Sequence, residues 1–268
     1  MLKDITLGQY FPGKSIIHRL DPRTKLVLLV VYIVALFLAV SWVSYGLMFA
    51  ALVSCIAVSG IPLKSFVRGM KPLMLILVFT AILNIFFTPG DTVLVSFLSV
   101  TITLEGVIRA VFMLARILML IAGTFLLTYT TSPISLTDGL EALLNPLKAI
   151  KVPVHELSMM MCIALRFIPT LIEETDKIMS AQKARGADFE SGKLMDRVKA
   201  LIPILVPLFV SAFRRADELA TAMECRCYQG GDGRTKMKLL RYKHFDYEAY
   251  GIGVVVLAAV CLLRHFGL

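Results

Sequence analysis

The sequence predicts an all-α integral membrane protein, with about five transmembrane helices and a cytoplasmic domain of long amphipathic helices. Composition is the first observation, because 57% of the 268 residues are hydrophobic and only 18% are charged. Soluble domains are instead roughly 45–50% apolar and about 25% charged. The second observation is a series of apolar runs that approach the roughly 20 residues of a membrane-spanning helix. The third is that Lys and Arg residues gather between those runs.

The apolar runs divide the chain into four parts. Residues 1–25 form a polar cytoplasmic leader without a signal peptide, and Asp21 and Pro22 are suited to start a helix near its end. Residues 26–130 form a membrane domain with four spans, residues 131–249 the cytoplasmic domain, and residues 250–268 the final transmembrane helix. The expected spans are 26–40, 45–59, 73–87, 106–129 and 250–266.

Positive charge sets the predicted orientation. All but three of the 28 Lys and Arg residues lie in the leader, in the loop 61–72 or in the block 130–249. Because cytoplasmic loops are enriched in these residues, we expect the N-terminus inside the cell and the C-terminus outside. Residues 88–105 contain neither Lys nor Arg, and their β-branched part is expected in the outer membrane interface. The same distribution explains the net charge of +9 without nucleic acid as a partner.

Two arginines fall inside the fourth predicted span. Arg109 lies near its outer end and is expected to reach the membrane surface. Arg116 lies deeper, and charges inside a membrane are usually paired. We therefore expect Arg116 to pair with a polar group such as Asn84 or Glu105.

The cytoplasmic block contains two long helical patterns joined by a short polar turn. Apolar residues recur at steps of three and four from Leu157 to Ile178 and from Leu194 to Met223, which places them on one stripe of each helix. The first half of each pattern is apolar and the second half is charged, which suits a helix beneath a bilayer. Pro169, Pro203 and Pro207 lie inside these patterns and predict either curvature or a hinge.

Each long pattern ends in an arginine between small residues. The first ends in Ala184, Arg185 and Gly186, and the second in Cys225, Arg226 and Cys227. A guanidinium is a rigid, permanently charged fork that suits carboxylates and carbonyls, and small neighbours let it enter a groove on a partner. The helix dipole favours a cation at any helix C-terminus, so one such end would mean little. Two in succession indicate docking.

No pattern predicts catalysis, a metal site or a cofactor. The chain lacks a Gly-x-x-x-x-Gly-Lys-Ser/Thr loop for phosphates. Its five cysteines and four histidines do not have metal-ligand spacing, and the pair Cys225 and Cys227 has no second pair. An intramembrane enzyme is disfavoured because the candidate polar residues of the spans have no nearby His, Asp or Glu. Those residues are Ser54, Cys55, Asn84 and Thr124.

Three segments resemble one protein family. They are Ala184-Arg185-Gly186-Ala187-Asp188, Ala222-Met223-Glu224-Cys225-Arg226-Cys227-Tyr228-Gln229-Gly230, and the leader from Gln9 through His18-Arg19-Leu20-Asp21-Pro22-Arg23-Thr24-Lys25. These segments are similar to the signatures of the transmembrane coupling (T) component of energy-coupling factor transporters, and the resemblance covers nearly the whole chain. One departure is that the second tip in this family is commonly Ala-Arg-Gly, whereas cysteines flank Arg226 here.

The resemblance implies a non-catalytic, multi-pass subunit of a bacterial cell membrane. Its partners would be the lipid bilayer, a membrane-embedded substrate-binding S component, and two cytoplasmic ATPase subunits that bind the ATP. Arg185 would enter a groove on one ATPase and Arg226 a groove on the other, so that ATP-driven closure moves the helices and the S component. The S component would contact an adaptable apolar surface, although packing between the two helices is an alternative for these residues. They are Met159, Met160, Met161, Leu205, Leu208 and Phe209.

Several alternatives stay open on the sequence. The leader and the Gln229-Gly230-Gly231 extension favour a shared module that serves many vitamin-binding S components. A dedicated component for cobalt, nickel or biotin is the alternative. A membrane scaffold without transport is a further possibility, and co-purification with two ATPases distinguishes it from the transporter.

Overall fold

The computed structural model describes residues 10–88, 92–97, 100–187, 189, 194–230 and 239–266. The described chain divides into two compact units. We call residues 8–140 with 240–268 the membrane unit, and residues 141–239 the helix-pair unit. The first nine leader residues, most of the turn between the long helices and residues 231–238 of the basic tail lie outside the described residues.

Helices dominate both units. In chain order they are α1 (Ile16–Arg19), α2 (Pro22–Leu38), α3 (Trp42–Ser59), α4 (Leu63–Met70), α5 (Met74–Phe87), α6 (Leu104–Thr130), α7 (Pro133–Leu144), α8 (Val154–Ala184), α9 (Leu194–Cys225) and α10 (His244–His265). Short 3₁₀ turns at Lys71–Leu73 and Asn145–Ile150 follow α4 and α7. The predicted helical membrane fold is confirmed.

Five helical segments among the described residues are long and apolar enough to cross a membrane. Their number equals the predicted number of spans, but the set differs. The predicted first span corresponds to α2, which has 17 residues, below the roughly 20 of a typical span. By length and composition, α8 is instead the fifth helix that could cross a membrane. The segments are Trp42–Ser59, Leu63–Phe87, Leu104–Thr130, Val154–Ala184 and His244–His265.

The segment between α5 and α6 contains a small antiparallel hairpin that the sequence reading did not predict as strands. Strand β1 (Val93–Phe97) pairs with β2 (Val100–Thr103), and the register is irregular between Val93 and Val95. The β-branched residues of this segment favour extended backbone. Thr103 also caps α6, because its side chain accepts a hydrogen bond from the backbone N–H of Gly106.

Helix α2 packs against α6 and α10 in the membrane unit, and α3 packs against the same two helices. Its side chains Ala35 and Leu36 are buried, as are Met48 of α3 and Val260 of α10. Close approach to α6 depends on Gly123, because a Cβ there would lie 2.9 Å from Cε1 of Tyr32. This packing buries the central face of α2 although the helix is short.

The predicted leader is part of this packed unit from residue 10 onward. The backbone N–H of Phe11 donates to the carbonyl of Tyr129 at 3.0 Å, and the Phe11 ring packs edge-on against the Tyr129 ring. Asp21 caps α2 by accepting from the backbone N–H of Arg23, with Pro22 at the first helical position. The predicted helix start at Asp21 and Pro22 is therefore confirmed.

Lys25 joins the start of α2 to the end of α6. Its Nζ donates to the carbonyl of Thr130 at 2.9 Å and to Oγ1 of Thr131 at 3.1 Å. The residue is 8% exposed. Burial lowers the pKa of the Lys25 ammonium from 10.5 to about 8, because desolvation disfavours the charged form.

The predicted pairing of Arg116 with Asn84 or Glu105 is wrong. Arg116 instead donates from Nη2 to the carbonyl of Ala39, at the C-terminal end of α2, at 3.2 Å. Its guanidinium also lies over the rings of Phe37 and Tyr45, at 5.5 and 5.8 Å from their centres. A helix end leaves carbonyls without intrahelical partners, so Arg116 caps α2 within an apolar region.

Candidate partner-docking site

The two long helices of the sequence reading are α8 and α9, with 31 and 32 residues. Both contain prolines inside the helix, as predicted. Proline has no N–H, so Pro207 leaves the carbonyl of Pro203 without its usual helical donor. The side chain of Gln182, on α8, donates to that carbonyl at 3.4 Å. The carbonyl that the proline leaves without a helical donor thus forms a hydrogen bond between the two helices.

A polar cross-link joins the middle of α8 to α9. One carboxylate oxygen of Glu174 accepts a hydrogen bond from Ser211, and the other accepts from Nη2 of Arg215 at 2.8 Å. Together with the contact between Gln182 and Pro203, this shows that residue numbers rise along α8 as they fall along α9. The two helices are therefore antiparallel, and their C-terminal arginines lie at opposite ends of the pair. From this register and the helical rise of 1.5 Å per residue, these ends are roughly 35–40 Å apart along the axis.

Both helices end in the same backbone motif. In α8, Gly186 N–H donates to Lys183 O and Ala187 N–H donates to Gln182 O, both at 3.0 Å. In α9, Cys227 N–H donates to Glu224 O at 2.8 Å and Tyr228 N–H to Met223 O at 3.0 Å. This pair of bonds defines a Schellman motif. Arg185 and Arg226 occupy the C-cap position in each.

The residue after each arginine has a left-handed backbone. Gly186 has φ +85° and Cys227 has φ +55°. Glycine adopts this conformation freely, whereas a residue with a Cβ pays about 1–2 kcal/mol. In the family that the second tip resembles, glycine commonly occupies this position. Cys227 adopts the same left-handed backbone and so keeps the same helix ending.

The tips present their charge to the surroundings. Arg185 and Arg226 are exposed, as are their flanking residues Ala184, Gly186, Cys225 and Cys227. Within the described part of the chain, neither guanidinium forms a hydrogen bond or an ion pair. Each arginine is consequently available at a helix end between small residues. Its guanidinium can donate hydrogen bonds to carboxylates or carbonyls of a partner.

The cysteines beside Arg226 are free thiols, and both are exposed. A metal site needs about three or four ligands that converge. No cluster of three or more His, Cys, Asp or Glu side chains suited to a metal occurs among the described residues.

The predicted apolar contact surface is only partly accessible. Met160, Leu205 and Phe209 are exposed, whereas Met159, Met161 and Leu208 are half-buried. Further exposed apolar side chains on α9 lie outside the predicted surface, although the apolar run from 200 to 210 signals most of them. They are Leu201, Ile202, Val206, Val210 and Phe213.

Comparison with known proteins places these features in a family. Residues 13–237 match the family model described as cobalt transport protein, CbiQ. The chain is 52% identical over 265 residues to the energy-coupling factor transporter transmembrane protein EcfT of Ruminiclostridium cellulolyticum, covering 99% of both chains. It is 53% identical over 266 residues to EcfT of Clostridium kluyveri, covering 99% of this chain and 98% of the relative. Identity to EcfT of Lactococcus lactis is 45% over 262 residues, covering 98% of both.

These matches run through both units and both arginine tips. The expected absence of catalytic activity agrees with the family, which is non-catalytic. The multi-pass membrane character agrees as well. The chain belongs to the family of energy-coupling factor transporter transmembrane proteins, EcfT, and is the transmembrane T component of such a transporter.

Proposed function

We propose that this chain transmits ATP-driven motion from two cytoplasmic ATPase subunits to one substrate-binding S component in the membrane. The observation that carries the proposal is the matched pair of helix ends, each with an exposed arginine at the C-cap of a Schellman motif. Two equivalent ends at opposite ends of one antiparallel pair suit two similar subunits. The ATP belongs to the partners, and the chain itself holds no cofactor.

Arg185 docks on one ATPase and Arg226 on the other. The bonds from Glu174 to Ser211 and Arg215 tie α8 to α9, so movement at one tip is passed to the other helix. The T component also faces the S component through exposed apolar side chains on the same helices, chiefly Phe209 on α9. A contiguous exposed apolar surface often marks an interaction site.

Charge reversal at the tips tests the assignment. We expect the double variant Arg185→Glu with Arg226→Glu to lose at least ten-fold in ATPase co-purification while it still inserts in the membrane. The matched control is Arg166→Glu with Arg214→Glu, which makes the same charge change at exposed positions inside the same helices. Normal ATPase assembly in the tip variant would refute the docking roles, as would equal loss in the control.

The S-component surface has its own test. Phe209→Asp places a charge on the exposed apolar stripe and should release the S component without releasing the ATPases. Thr221→Asp is the control, since Thr221 is exposed on α9 about 120° around the helix axis from Phe209. Retention of the S component by the Phe209→Asp variant would remove this residue from the interface.

The module is proposed to be shared among several S components that take up vitamins or other micronutrients. Support comes from full-length relatives whose names specify no substrate. The description of the matching family model as a cobalt transport protein favours the second candidate, a dedicated transporter. Affinity purification of the chain from native membranes discriminates them. Several different S components indicate the shared module, and a single one indicates the dedicated type.

We place the N-terminus in the cytoplasm and the C-terminus outside a bacterial cell membrane, with both tips on the ATPase side. The excess of Lys and Arg in residues 1–25, 61–72 and 130–249 supports this orientation. Labelling of single cysteines placed at residues 14 and 266 with a membrane-impermeant maleimide tests it in a cysteine-free background. Labelling at 266 alone in intact cells is expected, and the reverse pattern would overturn it.

A further inference from the structure

The membrane unit contains a cavity of about 620 Å³ with an almost wholly apolar lining. Helices α2, α3, α6 and α10 form its walls, and Ile17 and Leu20 from the region of α1 close one end. All of these residues belong to the membrane unit. None of them has a role in the docking site described above.

Side-chain size explains why the cavity stays open. Helix α2 lies close to α6 and α10, where Gly123 faces Tyr32 and Gly253 faces Leu28. Helix α3 contributes the short side chains of Ala50, Ala51 and Ser54 to the lining, between the longer Leu47 and Val58. These short side chains leave space beside α3. Ser54 and Cys55 line the cavity and are exposed, so the cavity reaches the surface on this side.

The lining determines what can fill this space. An apolar cavity offers water no hydrogen-bond partners and stays dry. Two walls of the cavity, α3 and α10, are among the helices long and apolar enough to cross a membrane. The lining residues Val58 and Ile252 are half or more exposed, and in a bilayer they face lipid. A hydrocarbon chain therefore fits the cavity chemically.

One end of the cavity is cationic. Lys25 lines it and uses two of its three N–H donors on Thr130 and Thr131. Lys14 and Arg19 flank the residues of α1 that close this end, and both are exposed. Basic side chains near a membrane surface attract anionic lipid by about 1 kcal/mol each. The predicted orientation places this end at the cytoplasmic leaflet.

We propose that this cavity binds one acyl chain of an anionic phospholipid from the cytoplasmic leaflet, with the lipid phosphate beside Arg19. The acyl chain fills the space that the side chains of α2, α3, α6 and α10 leave open. The proposal concerns the membrane unit alone and is independent of the roles assigned to Arg185 and Arg226.

Lipid retention tests the cavity. The full chain is reconstituted in nanodiscs of equal parts phosphatidylglycerol and phosphatidylcholine, then transferred to detergent, and bound lipid is counted by native mass spectrometry. We expect one retained phosphatidylglycerol per chain, with at least a five-fold loss in Ala51→Phe, which fills the cavity. Ala57→Phe is the matched control, because Ala57 is exposed on the same helix and does not line the cavity.

A second variant separates the headgroup from the chain. Arg19→Gln should lower the preference for phosphatidylglycerol over phosphatidylcholine by at least three-fold, while Lys64→Gln, an exposed cation on α4, should not. Thermal unfolding in detergent checks that each variant is folded. An undiminished amount of bound lipid in a folded Ala51→Phe variant would overturn the proposal. The proposal would also be overturned if the assembled transporter carried no such lipid and the S component occupied the cavity instead.

Discussion

The carboxylate of Asp246 accepts a hydrogen bond from the backbone N–H of Asp21 at 2.8 Å, across 225 positions of sequence. Its second oxygen accepts from the backbone N–H of Lys243 at 2.7 Å and so caps α10. Asp246 is 1% exposed. One side chain thus fixes the leader to the last helix of the membrane unit.

This contact predicts a large effect of removing one carboxylate. Asp246→Ala leaves the N–H of Asp21 buried without a partner, which costs about 1–3 kcal/mol, and it also removes a helix cap. We expect the free energy of unfolding in detergent to fall by about 2 kcal/mol. Glu248→Ala on the same helix removes an exposed contact with His244 and should change stability by less than about 0.5 kcal/mol. Equal losses in the two variants would contradict the role of Asp246.

Lys25 predicts a dependence of stability on pH. Its pKa is about 8 in the folded protein against 10.5 as the ordinary value, so between these values the unfolded chain binds more protons. Stability should therefore rise as pH increases from 8 to 10.5, by up to about 3 kcal/mol from this group. The difference between the wild type and Lys25→Met isolates the contribution. Lys64→Met alters an exposed lysine and should keep the wild-type dependence of stability on pH. If Lys25→Met also kept the wild-type dependence, the role of Lys25 would be contradicted.

Arg116 predicts that arginine and lysine are not equivalent within α6. Arg116→Lys keeps the charge but loses the planar group that reaches the carbonyl of Ala39 and covers two aromatic rings. We expect a loss of about 1–2 kcal/mol in the free energy of unfolding. Arg109→Lys, at an exposed position two turns away, should be nearly neutral. Similar unfolding curves for both variants would argue against the capping role.

The cross-link between the long helices predicts a measurable coupling energy. In a double-mutant cycle with Glu174→Gln and Arg215→Met, we expect about 1 kcal/mol of interaction, because the pair is partly shielded and joins two helices. The cycle for Arg214 and Glu218, an exposed pair within α9, should give about 0–0.5 kcal/mol. Coupling no larger than in this control pair would mean that Glu174 does not brace α8 against α9.

The left-handed residues at the tips predict opposite effects of two substitutions. Cys227→Gly should stabilise the end of α9 by about 1 kcal/mol, and Gly186→Ala should destabilise the end of α8 by a similar amount. Hydrogen exchange at the amides of Tyr228 and Ala187 reports on these ends, since both amides close the motif. Faster exchange at Tyr228 in Cys227→Gly would contradict the conformational argument.

Local pattern accounts for what was predicted correctly. The three-four spacing of apolar residues defines both long helices nearly to their observed ends, because that spacing reflects one helix at a time. The arginine at the end of each long helix was predictable as well, because it belongs to a short motif of neighbouring residues. The hairpin at β1 and β2 was missed because a short β-branched segment between two apolar runs signals strand only weakly.

The sequence by itself determined the membrane class, the two long helices and the family, since composition, periodicity and short motifs are properties of neighbouring residues. Only the tertiary structure decided that the two tips lie at opposite ends of their pair, that Arg116 caps α2, and that Asp246 holds the leader. These depend on contacts between residues far apart in the chain. Hydrogen bonds with such partners form only when packing brings the helices together, and no local pattern specifies which partner is met.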